Sequence, residues 1–373
     1  MSGPAGAPGN GRAASRAARA RERWGVHGRG QHERDNQAGP PAAADGGTGP
    51  GAAGHGPRRG GRRGEQLMVP RAQPDSYYGK PVLKVPVWRL RDVGGYLFMG
   101  GLAGASGVLA GCAQLAGHGR LARTAKVGAA GAIAVSGVAL VADLGRPERF
   151  LNMLRMIKPS SPMSVGTWVI TAFGGAAGAA AASAVTGRLP RAGAVATAGT
   201  TVLGPVVCTY TAALLCDTAV PAWHDAHREM PYLFAGSAAA AAGGLGMLAG
   251  PAGEAGPAVR FALLGAATEI TAKSLLLRRL GDIAEPYQHG RPGRLMELAE
   301  LLTSAGLAGA VLGGHSRVAT RLAGAALLAS SALTRLGIFE AGQVSAADPK
   351  YTIGPQRERL NRRRAEQQEA GVT

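Results

Sequence analysis

From residue 93 onward the chain is a series of apolar runs broken by short charged loops. The runs lie near 93–115, 124–142, 164–186, 196–219, 232–250, 256–277, 297–314 and 318–338. A stretch of roughly 20 residues with few charges is long enough to cross the hydrocarbon core as a helix. Eight such stretches predict an all-α polytopic membrane protein of about eight transmembrane helices. The mean hydropathy of +0.03 hides this pattern, because a polar, basic first part is averaged with the runs. Many runs are built from Ala and Gly rather than Leu and Phe, so their spacing is a better guide than their hydropathy.

Four regions follow. Residues 1–75 are a Gly/Pro/Arg-rich tail with no periodic apolar face, expected to be disordered. Residues 76–92 form a juxtamembrane segment in which Trp88, beside Arg89 and Arg91, suits a headgroup-level anchor. Residues 93–340 hold the spans, and 341–373 form a C-terminal tail. The tail arginines account for part of the net charge of +18. Nucleic-acid binding is not expected, because aromatic residues for base stacking are almost absent from it. Met68 offers a second possible start, which would make the tail dispensable.

Lys and Arg concentrate in the N-terminal tail, the 144–163 loop, the 278–296 loop and the C-terminal tail. With eight spans these all fall on one side, and the positive-inside rule makes that side cytoplasmic. Both termini are therefore expected in the cytoplasm of a multi-pass protein of the cell (inner or plasma) membrane. Within the first run, Gly100, Gly104, Gly107 and Gly111 contain two Gly-x-x-x-Gly spacings, which allow close approach of helix backbones. A composition biased to Gly and Ala would give the same pattern.

The loop between runs two and three is the most specified connector. Pro147 fits the first position of a new helix, and Leu151, Leu154 and Ile157 follow at helical spacing with Arg149, Arg155 and Lys158 on other faces. This reads as an interfacial helix at the membrane surface, or as an ordinary basic loop.

Ionisable residues gather on the same side by helix parity. Asp92 begins run one, Asp143 ends run two, and Asp217 ends run four with His224, Asp225, His227 and Arg228 just beyond. Glu269 and Lys273 lie in the inner half of run six at i, i+4, where they could pair. Glu297 and Glu300 begin run seven and Arg335 is near the end of run eight. Charges at helix ends can snorkel to water, whereas charges inside a membrane usually mark a proton, ion or ligand site. Cys112, Cys208 and Cys216 form no Cys-x-x-Cys, so no iron–sulfur cluster is expected in this chain. Histidines lie in loops, at helix ends or in the tail, so no haem is expected.

The stretch ADLGRPERFLNMLRMIKPSSPMSVGTW resembles the signature of the NrfD/polysulfide reductase (PsrC-like) membrane-subunit family. Supporting stretches are YYGKPVLKVPVW, YLFMGGLAGASGVLA, YTAALLCDTAVPAWHDAHREMPY and DPKYTIGPQR, so the resemblance covers roughly residues 77–360. It implies a membrane anchor of a molybdopterin oxidoreductase complex. Such a subunit would exchange electrons between a membrane quinone, menaquinone or ubiquinone bound non-covalently, and an iron–sulfur partner subunit. That partner would connect to a molybdopterin catalytic subunit.

The groups then implied for catalysis are Asp143, Asp217 and His224. Those implied for cofactor binding are Tyr210, Arg146, Glu269 and Lys273. Tyr210 falls in Tyr-Thr-Ala, where the family often has Tyr-Thr-Gly. Two other function classes stay open: a proton-coupled transporter or ion channel, and a purely structural anchor.

Overall fold

The computed structural model describes residues 82–86, 88, 90–144, 148–312 and 316–370. The basic tail, the start of the juxtamembrane segment and the loop residue Arg146 lie outside them. The described residues form helices in the order α1 (Leu90–Leu115), α2 (Gly119–Asp143), α3 (Glu148–Leu154), α4 (Pro162–Thr186), α5 (Pro190–Cys216) and α6 (Pro221–His224). After these come α7 (Met230–Ala249), α8 (Ala255–Leu280), α9 (Glu285–Gln288), α10 (Gly290–Leu312), α11 (Arg317–Ala347) and α12 (Lys350–Ala370). Seven of the long helices are apolar enough to cross a membrane, and the protein is an all-α polytopic membrane protein. Of the other two long helices, α12 is strongly polar, and α8 is long enough but carries Arg260, Glu269 and Lys273, which lower its hydropathy.

The packing forms two bundles. Helices α1, α2, α4 and α5 make the first, and α7, α8, α10 and α11 the second; α1 and α5 lie against α7, and α1 also against α11. Small residues set how close the backbones come. A Cβ on Gly104 would sit 2.6 Å from the Gly204 carbonyl oxygen, and one on Gly204 would sit 2.5 Å from that of Gly104. Gly236 with Gly265, and Gly244 with Gly324, make the same reciprocal contact. With no hydrophobic drive between helices in lipid, such close packing supplies much of the association. It also explains why the spans score as only modestly hydrophobic. The Gly-rich face of α1 does serve this purpose, as Gly104, Gly107 and Gly111 all meet α5.

The two ends of the bundles differ. At one end the connectors between long helices are short. At the other, α6, α9 and the 3-10 turn Gly281–Ala284 build a packed cap, while α3 lies against α4 with no buried residue. Trp223 of α6 is its centre, fully buried. Its indole N–H donates to the Ile338 carbonyl at 2.8 Å, and its ring stacks on Trp88 and lies 5.7 Å from Phe339. Gly342 leaves the space the indole fills. Trp88 is half-buried and packs its ring on Trp223 with centroids 5.9 Å apart.

Ion pairs tie the rim of this cap. Arg279 donates to Glu229 at 2.6 Å and holds that carboxyl below its usual range. Lys350 at the start of α12 does the same for Glu285. Trp223→Ala should cost about 3–5 kcal/mol, the range for emptying a packed aromatic site. Thermal unfolding of the detergent-purified protein measures it, and a midpoint equal to the wild type would refute the central role of the indole.

The interfacial segment is shorter than its pattern predicts. Helix α3 ends at Leu154, before Ile157. Leu151, Met156 and Ile157 are exposed on it, as on a surface that meets lipid. The connector is specified because it is latched. Ser164 of α4 donates to the Met156 carbonyl at 2.8 Å and accepts from the Lys158 N–H, while the Trp168 indole reaches the same carbonyl at 3.4 Å. Arg149 donates to the Leu144 carbonyl and covers the end of α2.

Candidate functional site

At the capped end of the first bundle three helices bring polar groups together. Tyr96 of α1 is buried and lies within electrostatic reach of Tyr210 of α5 and Asp143, the last residue of α2. Ser136 of α2 donates to the Tyr96 carbonyl at 3.2 Å, fixing the depth of α1 against α2. On the fourth helix, Gly166 lets the Tyr210 ring lie on the backbone of α4. A Cβ there would sit 1.7 Å from Cζ and 2.0 Å from the hydroxyl oxygen. The half-buried phenol thus occupies a cradle that only glycine leaves open.

Asp143 and Tyr210 each lie within electrostatic reach of Tyr96, a residue that the sequence did not single out. Asp217 follows α5 two turns beyond Tyr210, exposed, with its N–H bonded to the Ala213 carbonyl at 2.9 Å. His224 is exposed in α6, and its Nδ1 lies 3.2 Å from the Cys216 carbonyl. Asp217 caps the end of α5 and His224 ends α6, so both lie in the connector between α5 and α7. Arg146, implied for cofactor binding, lies outside the described residues.

Glu269 and Lys273 belong to the second bundle, and they do not form the i, i+4 pair. Glu269 is buried and accepts from the Thr334 hydroxyl at 2.8 Å. Lys273 turns the other way and pairs with Glu300 of α10 at 2.6 Å. The reason is that both line one cleft along α8, where α11 presents a hydroxyl next to Glu269 and α10 a carboxylate next to Lys273.

Behind Glu269 stands Arg335, fully buried. Its guanidinium donates to the Leu97 carbonyl (3.0 Å), the Phe234 carbonyl (3.0 Å), Ser237 (3.1 Å) and Ser331 (2.6 Å), and lies over the Phe234 ring. It therefore joins α1 of the first bundle to α7 and α11 of the second. Sequence placed Arg335 near a helix end because the last run was expected to stop at 338. Helix α11 continues to Ala347, which puts the arginine well inside. The small residue Gly101 makes room for it.

Residues 84–250 match the family described as "Polysulphide reductase, NrfD". This region is an NrfD-family membrane segment. It takes in the first bundle and α7, and therefore Tyr96, Asp143, Gly166 and Tyr210. The match is narrower than the resemblance read from sequence, and α8, α10 and α11 lie beyond it. No curated protein matches the chain. Among the described residues no three His, Cys, Asp or Glu side chains gather as a metal site.

Proposed function

We propose that this NrfD-family chain is the membrane anchor of a respiratory oxidoreductase complex, exchanging electrons between a quinone/quinol pool and an iron–sulfur partner subunit. The partner would link it to a molybdopterin catalytic subunit. The observation that carries the reading is the Tyr96–Asp143–Tyr210 cluster, built at the capped end of the family-matched bundle around the Gly166 cradle.

The residues suit a quinone head. Tyr96 and Tyr210 offer phenol hydroxyls that can donate to an accepting oxygen from two different helices. The glycine face of α4 seats the Tyr210 ring and so fixes where its hydroxyl lies. Asp143 is exposed at the end of α2, so it can exchange protons with water and pass them inward. Asp217 and His224, on the same face, would extend that route toward the water or the partner. When bound, the quinone supplies the two-electron, two-proton couple that the polypeptide lacks. The chain's residues bind and orient the head, and Asp143 holds or releases the proton as general acid–base groups do.

The cap would then be the partner's docking platform, because it carries the longer connectors and much of the basic charge. Its loops carry Arg149, Arg155, Lys158 and Arg228, and the C-terminal helix adds Arg357, Arg359 and Arg362 to Arg364. The positive-inside rule assigns this end to the cytoplasm.

Asp143→Asn keeps size and hydrogen bonding while removing the charge. Quinone-linked turnover of the purified complex should fall at least ~10-fold, the lower end for general acid–base help being nearer 10². Co-purification with the iron–sulfur subunit should persist. Wild-type turnover in both Asp143→Asn and Asp217→Asn would overturn the site, and a chain that brings down no iron–sulfur protein would overturn the function.

A further inference from the structure

A second polar site lies in the other bundle, outside the family match and apart from the electron-exchange reading. A cleft of about 90 Å³ opens between α8, α10 and α11. Glu269 and Thr334 form its inner wall, Thr303 and Met296 its sides, and Lys273 and Glu300 its outer part. A water needs roughly 10–15 Å³ of such space, so several fit, and polar partners are at hand. Glu300 is 58% exposed, which places the outer part at the protein surface. Glu269 lies 11 residues before the end of α8, about 16 Å along the helix at 1.5 Å per residue. That depth is near the middle of a hydrocarbon core.

We propose that Glu269 is a proton-exchanging carboxylate of the second bundle, reached by water through this cleft and gated by the Lys273–Glu300 ion pair.

Three features carry this. A carboxylate held nearly dry inside a membrane is costly and is retained where it binds a proton or an ion. Its partners are also switchable. Thr334 donates to the ionised form, and a hydroxyl can equally accept from the protonated one. Ser237 is a second hydroxyl beside it. The guanidinium of Arg335 is already engaged by Ser237, Ser331, Phe234 and Leu97, so it stabilises the charge of Glu269 without locking it in a fork.

The third feature is the gate. Lys273, one turn along α8, is drawn outward to Glu300 at 2.6 Å and bonds the Met296 carbonyl at 3.4 Å. The charged groups facing Glu269 are thus Arg335 from α11, Lys273 from its own helix and Glu300 from α10. The two cations favour the ionised form; burial and Glu300 favour the neutral one. In the step itself, a hydronium ion in the cleft gives its proton to a carboxylate oxygen of Glu269, an O–H bond forms, and a neutral water remains.

The test uses the full chain in detergent with dicyclohexylcarbodiimide, an apolar reagent that takes the proton of a neutral carboxyl group and bonds to its oxygen. Peptide mass spectrometry should find the adduct on Glu269 and not on the ion-paired Glu300, with a rate that falls as pH rises. Lys273→Met removes a cation that favours the ionised form, so labelling at a given pH should rise several-fold. Glu269→Gln keeps the bond to Thr334 and should abolish the adduct. If that variant fails to fold, the wild-type pH series still decides. No adduct on Glu269 at any pH, or labelling independent of pH, would overturn the proposal.

Discussion

Arg335→Met should leave little protein recoverable as a single species from detergent. The arginine is fully buried and its side chain binds two backbone carbonyls and two hydroxyls on three helices. Methionine fills comparable volume but makes none of these bonds. It also leaves Glu269 buried beside hydroxyls alone, with Lys273 already turned to Glu300. Breaking a buried charge arrangement by removing one side costs about 3–5 kcal/mol. Much of that cost belongs to the stranded partner. The double variant Arg335→Met with Glu269→Gln should therefore regain a large part of the loss, as coupled residues do not add. Arg335→Lys should fall between, because an ammonium group cannot serve Leu97 and Phe234 together. Denaturant unfolding and size-exclusion profiles measure all three. A single variant as stable as the wild type, or a double variant no better than the single, would show that the two charges are independent.

Arg335 also shows where sequence reading stops. The positions of the apolar runs were legible, because charge and apolarity alternate along the chain at the length a bilayer demands. The loop before α4 was legible as unusual; what makes it so is the latch of Ser164 and Trp168 onto Met156, which spacing alone does not reveal. Asp143 and Tyr210 were singled out by chain position and resemblance, and both lie within electrostatic reach of Tyr96. Tyr96 was missed because nothing marks one tyrosine in a glycine-rich run until α2 and α5 close around it. The pairing of Lys273 was misjudged for a similar reason. Helical spacing favoured Glu269, but Glu300, 27 residues on, was brought closer by the packing of α8 on α10. Helix ends carry the same weakness. An arginine read as terminal becomes central when α11 extends nine residues past the expected 338.

Gly166→Ala should separate the cradle from the fold. The added Cβ would sit 1.7 Å from Cζ of Tyr210 and 2.0 Å from its hydroxyl oxygen. Those atoms are the far end of a side chain on a half-buried ring, so the ring can swing away while α4 and α5 stay packed. Stability should change little, but the phenol would move by more than an ångström. A misplacement of that size in a positioning group costs about 10²-fold in rate. Quinone-linked turnover of the assembled complex should fall by that order, with the iron–sulfur subunit still bound. Tyr210→Phe tests the cause. If the glycine acts only by placing the hydroxyl, the double variant Gly166→Ala with Tyr210→Phe should be no slower than the slower single one. Two losses that multiply would mean that α4 itself shapes the pocket and that Tyr210 is not the group being positioned. Unchanged turnover in Gly166→Ala, with the complex intact, would remove the cradle, and α4 with it, from the site.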